Sequence, residues 1–288
     1  MTGDRSRKLD YEMSAPKLKT PPGACDCHMH IFDSRFPLAE KARRKEHDAP
    51  VSEYREVQKR LGLERVVVVQ PTAYGKDNRC TLEAISALGA GARGIAVVDT
   101  SVTDAELERL TRGGIRGVRF RMLDTPELPW EMLDVMAARV AAFGWHIQFQ
   151  MDGRYFEERE ELLKRLPGTV VIEHIGKFLE PVPPDHPGFR SLLRLVDTGR
   201  FWVKLSGAYM MSKSGPPLYS DMGTLAKALV KHAPGRLVWA SNWPHPMSRG
   251  GTMPEDAVLL DLLFDWAPEE KTRNRILASN PAELYGFK

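Results

Sequence analysis

The sequence predicts a (β/α)8 barrel of the α/β class, and three observations carry the prediction. Eight short apolar runs rich in Val, Ile and aromatic residues recur along the chain, as parallel strands buried on both faces require. The segments between them are longer and amphipathic at helical spacing. The chain has 288 residues, and a barrel of this kind uses about 250. The rival architecture, an open doubly wound sheet, shares the alternation. No glycine-rich phosphate fingerprint follows the first run, which argues against its dinucleotide-binding form.

The first run is ACDCHMHIF, residues 24–32. After it, VSEYREVQKRLG (51–62) has apolar positions at 51, 54, 57 and 61 and Gly62 as a C-terminal stop. ERVVVVQP (64–71) and RGIAVVDT (93–100) are the second and third strands. TDAELERLTRGG (103–114) opens on a Thr103 cap with Glu106 three residues on and closes on two glycines. IRGVRFRML (115–123) is the fourth strand and PWEMLDVMAARVAAFG (129–144) its helix. WHIQFQMD (145–152) precedes a helical segment over 152–168, and TVVIEHIG (169–176) precedes GFRSLLRLVDTG (188–199). FWVKLSG (201–207) is followed by DMGTLAKALVKHAPG (221–235), and RLVWASNWP (236–244) is the eighth strand. PEDAVLLDLLFDWA (254–267) and PEEKTRNRILASNPAELYGF (268–287) close the chain. Residues 1–20 are polar and aperiodic and read as an N-terminal arm; residues 21–288 read as one domain.

Forty-one basic residues nearly cancel 38 acidic ones, giving a net charge of +3. The basic residues are scattered, so the sequence implies neither nucleic acid nor an anionic membrane surface as partner. No apolar run approaches the ~20 residues that span a bilayer. Three cysteines and no secretory apolar region imply reduced thiols and a cytoplasmic setting.

Barrels of this kind place chemistry at the C-terminal ends of their strands. Strand 1 ends in Asp26, His28 and His30, which alternation puts on one face. Cys25, Cys27 and Met29 then face the helices. Strand 2 brings Gln70, Tyr74 and Asn78, strand 4 Arg119 and Arg121, and strand 5 Gln148, Gln150 and Asp152. Strand 6 ends in Glu173, His174 and Lys177, strand 7 in Lys204, Ser206 and Tyr209, and strand 8 in Asn242 and His245. Any single strand histidine is more often a packed core residue than a catalyst; the convergence of several at one end is what points to a site. His146 begins its strand and belongs to the stability face, while His47, His186 and His232 read as solvated.

Taken together, GACDCHMH, VVQPTAYGKDN, GIRGVRF, IEHIGKF, FWVKLSGAY and WASNWPHP resemble the amidohydrolase superfamily. More narrowly they resemble its lactone-processing branch, that of the 2-pyrone-4,6-dicarboxylate lactonases and D-galactarolactone isomerases. The likeness runs from about Pro22 to the C-terminus. The branch lactonase carries aspartate at the end of strand 8, where this chain has Asn242; the isomerase carries asparagine. The resemblance implies an enzyme that works without a metal. Were zinc bound, His28, His30 and His174 would be its ligands, but arginines stand on strand 4 and the strand-8 carboxylate is missing.

The expected substrate is a lactone bearing a carboxylate or several hydroxyls, with sugar-acid lactones first and ring migration the reaction. Asn242 is an amide and cannot take a proton from water, whereas an attacking hydroxyl carried by the substrate needs a weaker base. His28, His30 and His174 would move protons and polarise the carbonyl. Asn242 would orient the nucleophile or donate to the oxyanion. Arg119 would grip the carboxylate with its planar fork. Tyr74, Gln150, Lys177, Tyr209 and His245 would line the pocket rim. The alternatives are a metal-independent lactone hydrolase, a metal-dependent amidohydrolase or decarboxylase, and a barrel that binds a sugar acid without turnover.

Overall fold

The computed structural model describes residues 14–40, 42, 47–123, 126–246 and 253–288. Eight parallel strands follow one another in sequence order around a single sheet. They are β1 (Cys25–Met29), β2 (Arg65–Val69), β3 (Ala92–Ala96), β4 (Ile115–Arg121), β5 (His146–Gln150), β6 (Val170–Ile172), β7 (Phe201–Leu205) and β8 (Leu237–Trp239). The ring closes just beyond β8. The Asn242 amide donates to the His28 carbonyl at 2.8 Å, and the His30 amide donates to the Trp243 carbonyl at 2.8 Å. This is the (β/α)8 barrel that the alternation predicts.

The helices are α1 (Val51–Leu61), α2 (Arg79–Leu88), α3 (Asp104–Arg112), α4 (Leu133–Ala141), α5 (Phe156–Arg165), α6 (Pro187–Asp197), the single turn α7 (Ala208–Met211), α8 (Ser220–His232), α9 (Asp256–Trp266), α10 (Glu270–Asn274) and α11 (Asn280–Tyr285). The sequence assigned no helix between strands 2 and 3, where α2 stands. The Thr103 cap holds, its hydroxyl accepting from the Glu106 amide at 3.2 Å. Gly62 ends α1 at φ 67°, a left-handed turn that costs glycine nothing. No helix among the described residues is long and apolar enough to cross a membrane.

Strand residues alternate between two buried environments, which is why the runs are apolar throughout. Val66, Val68, Val118, Phe120, Ile147, Phe149, Val203 and Leu205 pack outward against the helices. Val67, Val69, Ile95, Val171, Trp202 and Val238 pack with one another inside, over a floor completed by Tyr285 and Phe287 from the C-terminus. Arg93 and Arg65 stack on the Phe287 ring at 4.6 and 5.2 Å.

β1 departs from the alternation. Its register against β2 runs Cys25 with Arg65 and Asp26 with Val66, then Met29 with Val68. Three steps on β1 match two on β2, a bulge that breaks the two-residue period. Cys25 and Cys27 therefore join the interior floor, contrary to the expectation that they face the helices; Met29 does face them. Asp26 leaves the histidines' face and meets Tyr54 of α1 and Ser241. β6 and β8 are also shorter than their apolar runs suggested. The residues after them turn, with left-handed backbone at His174, Ile175, Lys177, Asn242 and His245.

Residues 1–13 of the expected N-terminal arm lie outside the described residues. The remainder is a clasp on α9: the Lys17 and Leu18 amides donate to the Asp261 carboxylate at 3.0 and 2.8 Å.

Candidate active site

Above the apolar floor, Arg119 of β4, Gln148 of β5, Glu173 just after β6 and Lys204 of β7 come together, all buried. Arg119 clasps Glu173 with two parallel bonds, Nε to Oε1 at 2.8 Å and Nη2 to Oε2 at 2.9 Å, and donates through Nη1 to the Gln70 carbonyl at 3.2 Å. The Gln148 amide donates to Glu173 Oε1 at 2.6 Å, and its oxygen accepts from Lys204 Nζ at 2.6 Å. Lys204 also donates to the Cys27 carbonyl at 2.7 Å. Arg119 is thus paired with the carboxylate, and Lys204 is linked to it through Gln148. Burial pushes Glu173 upward, but the Arg119 guanidinium outweighs it and holds the carboxyl below the ordinary range. Burial lowers the Lys204 ammonium to about 8.

The bulge turns His28 onto this layer. Its Nδ1 lies 3.4 Å from Lys204 Nζ and its Nε2 lies 3.2 Å from His30 Nε2; His30 Nδ1 lies 2.8 Å from the Val69 carbonyl. The ends of this chain fix its tautomers, because a carbonyl only accepts and an ammonium only donates. Neutral His30 must carry its proton on Nδ1 and accept at Nε2. His28 must then carry its proton on Nε2 and accept from Lys204 at Nδ1. Both imidazoles are held neutral: burial, then Lys204, keeps His28 well below its ordinary value, and burial, then Arg119, takes His30 to about 3.

His174 sits in the left-handed turn after β6, its ring 4.8 Å from that of His28. Its Nδ1 pairs with the Ser206 hydroxyl at 2.9 Å and its Nε2 lies 3.5 Å from Glu173 Oε2. The Ser206 hydroxyl both gives and takes, whereas the Glu173 carboxylate only accepts, so the longer contact favours a proton on His174 Nε2 and leaves Nδ1 facing a two-way partner. Burial again lowers its basicity, and Glu173 opposes the shift. Gly207 is obligatory beside it: φ is 65°, and a Cβ there would stand 2.9 Å from His174 Nδ1.

The turn after β8 brings Asn242 to the His28 backbone. Its Nδ2 donates to Tyr209 Oη at 2.7 Å. Tyr209 Oη also lies 3.1 Å from His245 Nδ1, and His245 Nε2 lies 3.0 Å from Asp256 Oδ1. Burial raises the Tyr209 phenol well above its usual value.

The structure brings His28, His30, His174 and Arg119 into one buried cluster, with Asn242, Tyr209 and His245 as a second group joined to it through the backbone of β1. The guanidinium fork of Arg119, expected to hold a substrate carboxylate, is engaged by Glu173. The Tyr74 hydroxyl accepts from the Asp33 amide at 2.7 Å and donates to the Asp33 carbonyl at 3.0 Å, so it staples the loop after β1. Gln150 and Lys177 are buried, and Lys177 Nζ lies 3.3 Å from Met210 Sδ. Of the residues noted only in passing, Glu173, Lys204, Gln148 and Ser206 prove to tie the cluster together. Their signal was polarity inside strands that are otherwise apolar. Asp256, on α9, carried no such signal.

His28, Glu173 and His174 offer donor atoms within 4.8 Å of one another, the nearest approach to a metal site among the described residues. That set differs from the three histidines of the sequence reading, since His30 points its Nδ1 at Val69. The residues do not fit a resident divalent cation. Glu173 is already taken up by three N–H groups, and the Arg119 cation stands against it, with Lys204 joined through Gln148.

A barrel that closes its strand-1 histidines against a left-handed strand-8 turn, with a third histidine after strand 6, is a barrel of the amidohydrolase class. The chain belongs to the amidohydrolase family, whose model matches residues 25–287. It is 32% identical to D-galactarolactone isomerase of Agrobacterium fabrum, covering 94% of each chain. It is 34% identical to 2-pyrone-4,6-dicarboxylate hydrolase of Comamonas testosteroni, covering 94% of this chain and 93% of that one. A solved apo structure from Agrobacterium tumefaciens superposes with a TM-score of 0.89 at 31% identity, over 95% of this chain and 99% of the other.

Proposed function

We propose that this chain is a lactone-processing enzyme that moves the ring of a carboxylated, sugar-acid lactone, and does so without a metal. One observation carries the choice of ring migration: the carboxylate that stands among the histidines in the described residues, Glu173, is locked by Arg119 and Gln148. Among the described residues no free carboxylate stands beside the histidines to activate water, and the histidines are weakened as bases by burial. A hydroxyl tethered within the substrate needs less help, because its effective concentration reaches about 10⁵ M or more. It attacks its own lactone carbonyl, the ring oxygen leaves, and the proton passes from the first oxygen to the second. His174 is the residue suited to carry that proton, since its Nδ1 faces a hydroxyl that both gives and takes. Lys204 and Arg119 supply positive field to the oxyanion. Two cations and one carboxylate in the cluster also favour an anionic substrate, and the named relatives are a D-galactarolactone isomerase and a 2-pyrone-4,6-dicarboxylate hydrolase.

The test is NMR of lactone turnover by wild type and by Asn242→Asp, which restores a carboxylate at the mouth of strand 8. Wild type should give ring-migrated product, and the variant more ring-opened product. Ring-opened product alone from wild type would make this a hydrolase with a histidine base. Stoichiometric zinc on elemental analysis, with activity lost on chelation and regained with zinc, would overturn the metal-free reading.

A further inference from the structure

The chain from Asn242 to Asp256 has a direction, and that direction decides which end of the Asn242 amide meets substrate. Asp256 is buried on α9, with the Arg60 guanidinium 3.5 Å from its Oδ2. A carboxylate accepts and does not donate, so His245 presents Nε2–H to Asp256 Oδ1 across 3.0 Å. In a ring that carries that single proton Nδ1 is an acceptor, and the Tyr209 hydroxyl donates to it across 3.1 Å. Having given its proton away, Tyr209 Oη accepts from Asn242 Nδ2 across 2.7 Å. Among the described residues no donor reaches Asn242 Oδ1. The ends of an amide are told apart only by such a network, and here every link points the same way.

We propose that Asp256, acting through His245 and Tyr209, is a positioning residue that holds Asn242 with its carbonyl oxygen free to accept from the substrate's attacking hydroxyl. The sequence reading allowed Asn242 either to orient the nucleophile or to donate to the oxyanion; the network leaves it only the first role. An accepting oxygen aims a hydroxyl and leaves its lone pair pointing at the carbonyl, while an NH2 in that place would bind the lone pair that must attack. The inference rests on the ring-migration reading for the identity of the nucleophile. The orientation itself does not depend on it.

Asp256→Asn is the decisive variant. Its carboxamide can donate to His245 Nε2, which moves the imidazole proton to Nδ1, turns Tyr209 into a donor toward Asn242 and rotates the amide. The expected loss is roughly 10- to 100-fold in kcat, as for other small misplacements of a reacting group, with KM close to wild type. Tyr209→Phe breaks the same chain and should lose a similar factor. The double variant should be no slower than the slower single, because both act on one amide. ¹⁵N NMR of the histidines should show His245 as the Nε2–H tautomer in wild type and Nδ1–H in Asp256→Asn. Losses that multiply in the double variant, or a proton on His245 Nδ1 in wild type, whether as the Nδ1–H tautomer or as imidazolium, overturn the proposal. If Asp256→Asn does not fold, the wild-type tautomer still decides, together with a kcat loss in Tyr209→Phe. If wild type only opens its lactone, ring migration fails, and the tautomers and the double variant still judge the positioning.

Discussion

The barrel interior has two storeys, and they solve burial in opposite ways. The floor is apolar packing of Cys25, Cys27, Val67, Ile95, Val171, Trp202 and Val238 over Tyr285 and Phe287. Its few polar atoms stand alone: His146 Nε2 and Tyr285 Oη make no hydrogen bond to a described residue, although their rings lie 5.4 Å apart. In the upper storey almost every polar atom is spoken for, through Arg119, Glu173, Gln148, Lys204, His28 and His30. The difference separates what holds the barrel from what works in it. The floor contributes through area removed from water. The upper storey contributes little net stability, since desolvating its ions offsets their attraction, but it fixes charge and proton positions.

The largest expected effect comes from breaking the upper storey. Arg119→Met leaves Glu173 buried without its guanidinium, which should cost about 3–5 kcal/mol in chemical denaturation and abolish turnover. Adding Glu173→Gln should recover part of the stability and none of the turnover. Recovery of turnover would show that the pair only braces the fold. Next, Trp202→Ala hollows the floor and should cost about 3 kcal/mol or somewhat more. Its kcat and KM should match wild type wherever the variant is folded, and a changed KM would join the two storeys.

A third comparison uses one histidine from each level. Burial takes both His30 and His146 down to about 3. In the unfolded chain each imidazole titrates near ~6.5. Above that pH both states are neutral and nothing is lost; as pH falls from there toward 3, the unfolded state takes up protons that the fold refuses, and stability drops. His146→Gln should therefore flatten the acid side of the stability profile by about 2 kcal/mol between roughly pH 6.5 and 4.5, with turnover unchanged. An unaltered acid slope in urea titrations would place His146 in contact with water. The smallest effect is expected for Cys27→Ala on the floor, about 1 kcal/mol, with no loss of activity.

The architecture was legible because strands buried on both faces must be apolar throughout, and eight such runs leave little choice. What failed did so for local reasons. The alternation through ACDCHMHIF misplaced Cys25, Cys27 and Asp26 because a bulge is a relation to the neighbouring strand, invisible in one strand alone. TVVIEHIG and RLVWASNWP overran their strands because Ile175 and Trp243 are apolar turn residues, and hydrophobicity does not report backbone handedness. The three histidines were readable, whereas the pairing of Arg119 with Glu173, 54 residues apart, exists only once β4, β5 and β6 lie side by side. Tyr74 looked like a pocket residue for want of any sign that Asp33 would claim its hydroxyl. Asp256 was missed because it reaches its partners from a helix rather than from a strand end.

The left-handed backbone at Asn242, with φ at 61°, acts as a sieve on mutation. Branched and bulky side chains are penalised there, while glycine, asparagine and aspartate pass most easily. Glycine offers no functional group. The two that remain have nearly the same shape and differ in whether the group can accept a proton. If the reaction outcome hangs on that amide, ring migration and ring opening are adjacent settings of one dial, and the fold itself keeps the dial from landing elsewhere. Divergence between the two chemistries would then need no new scaffold, only a step that the backbone already permits.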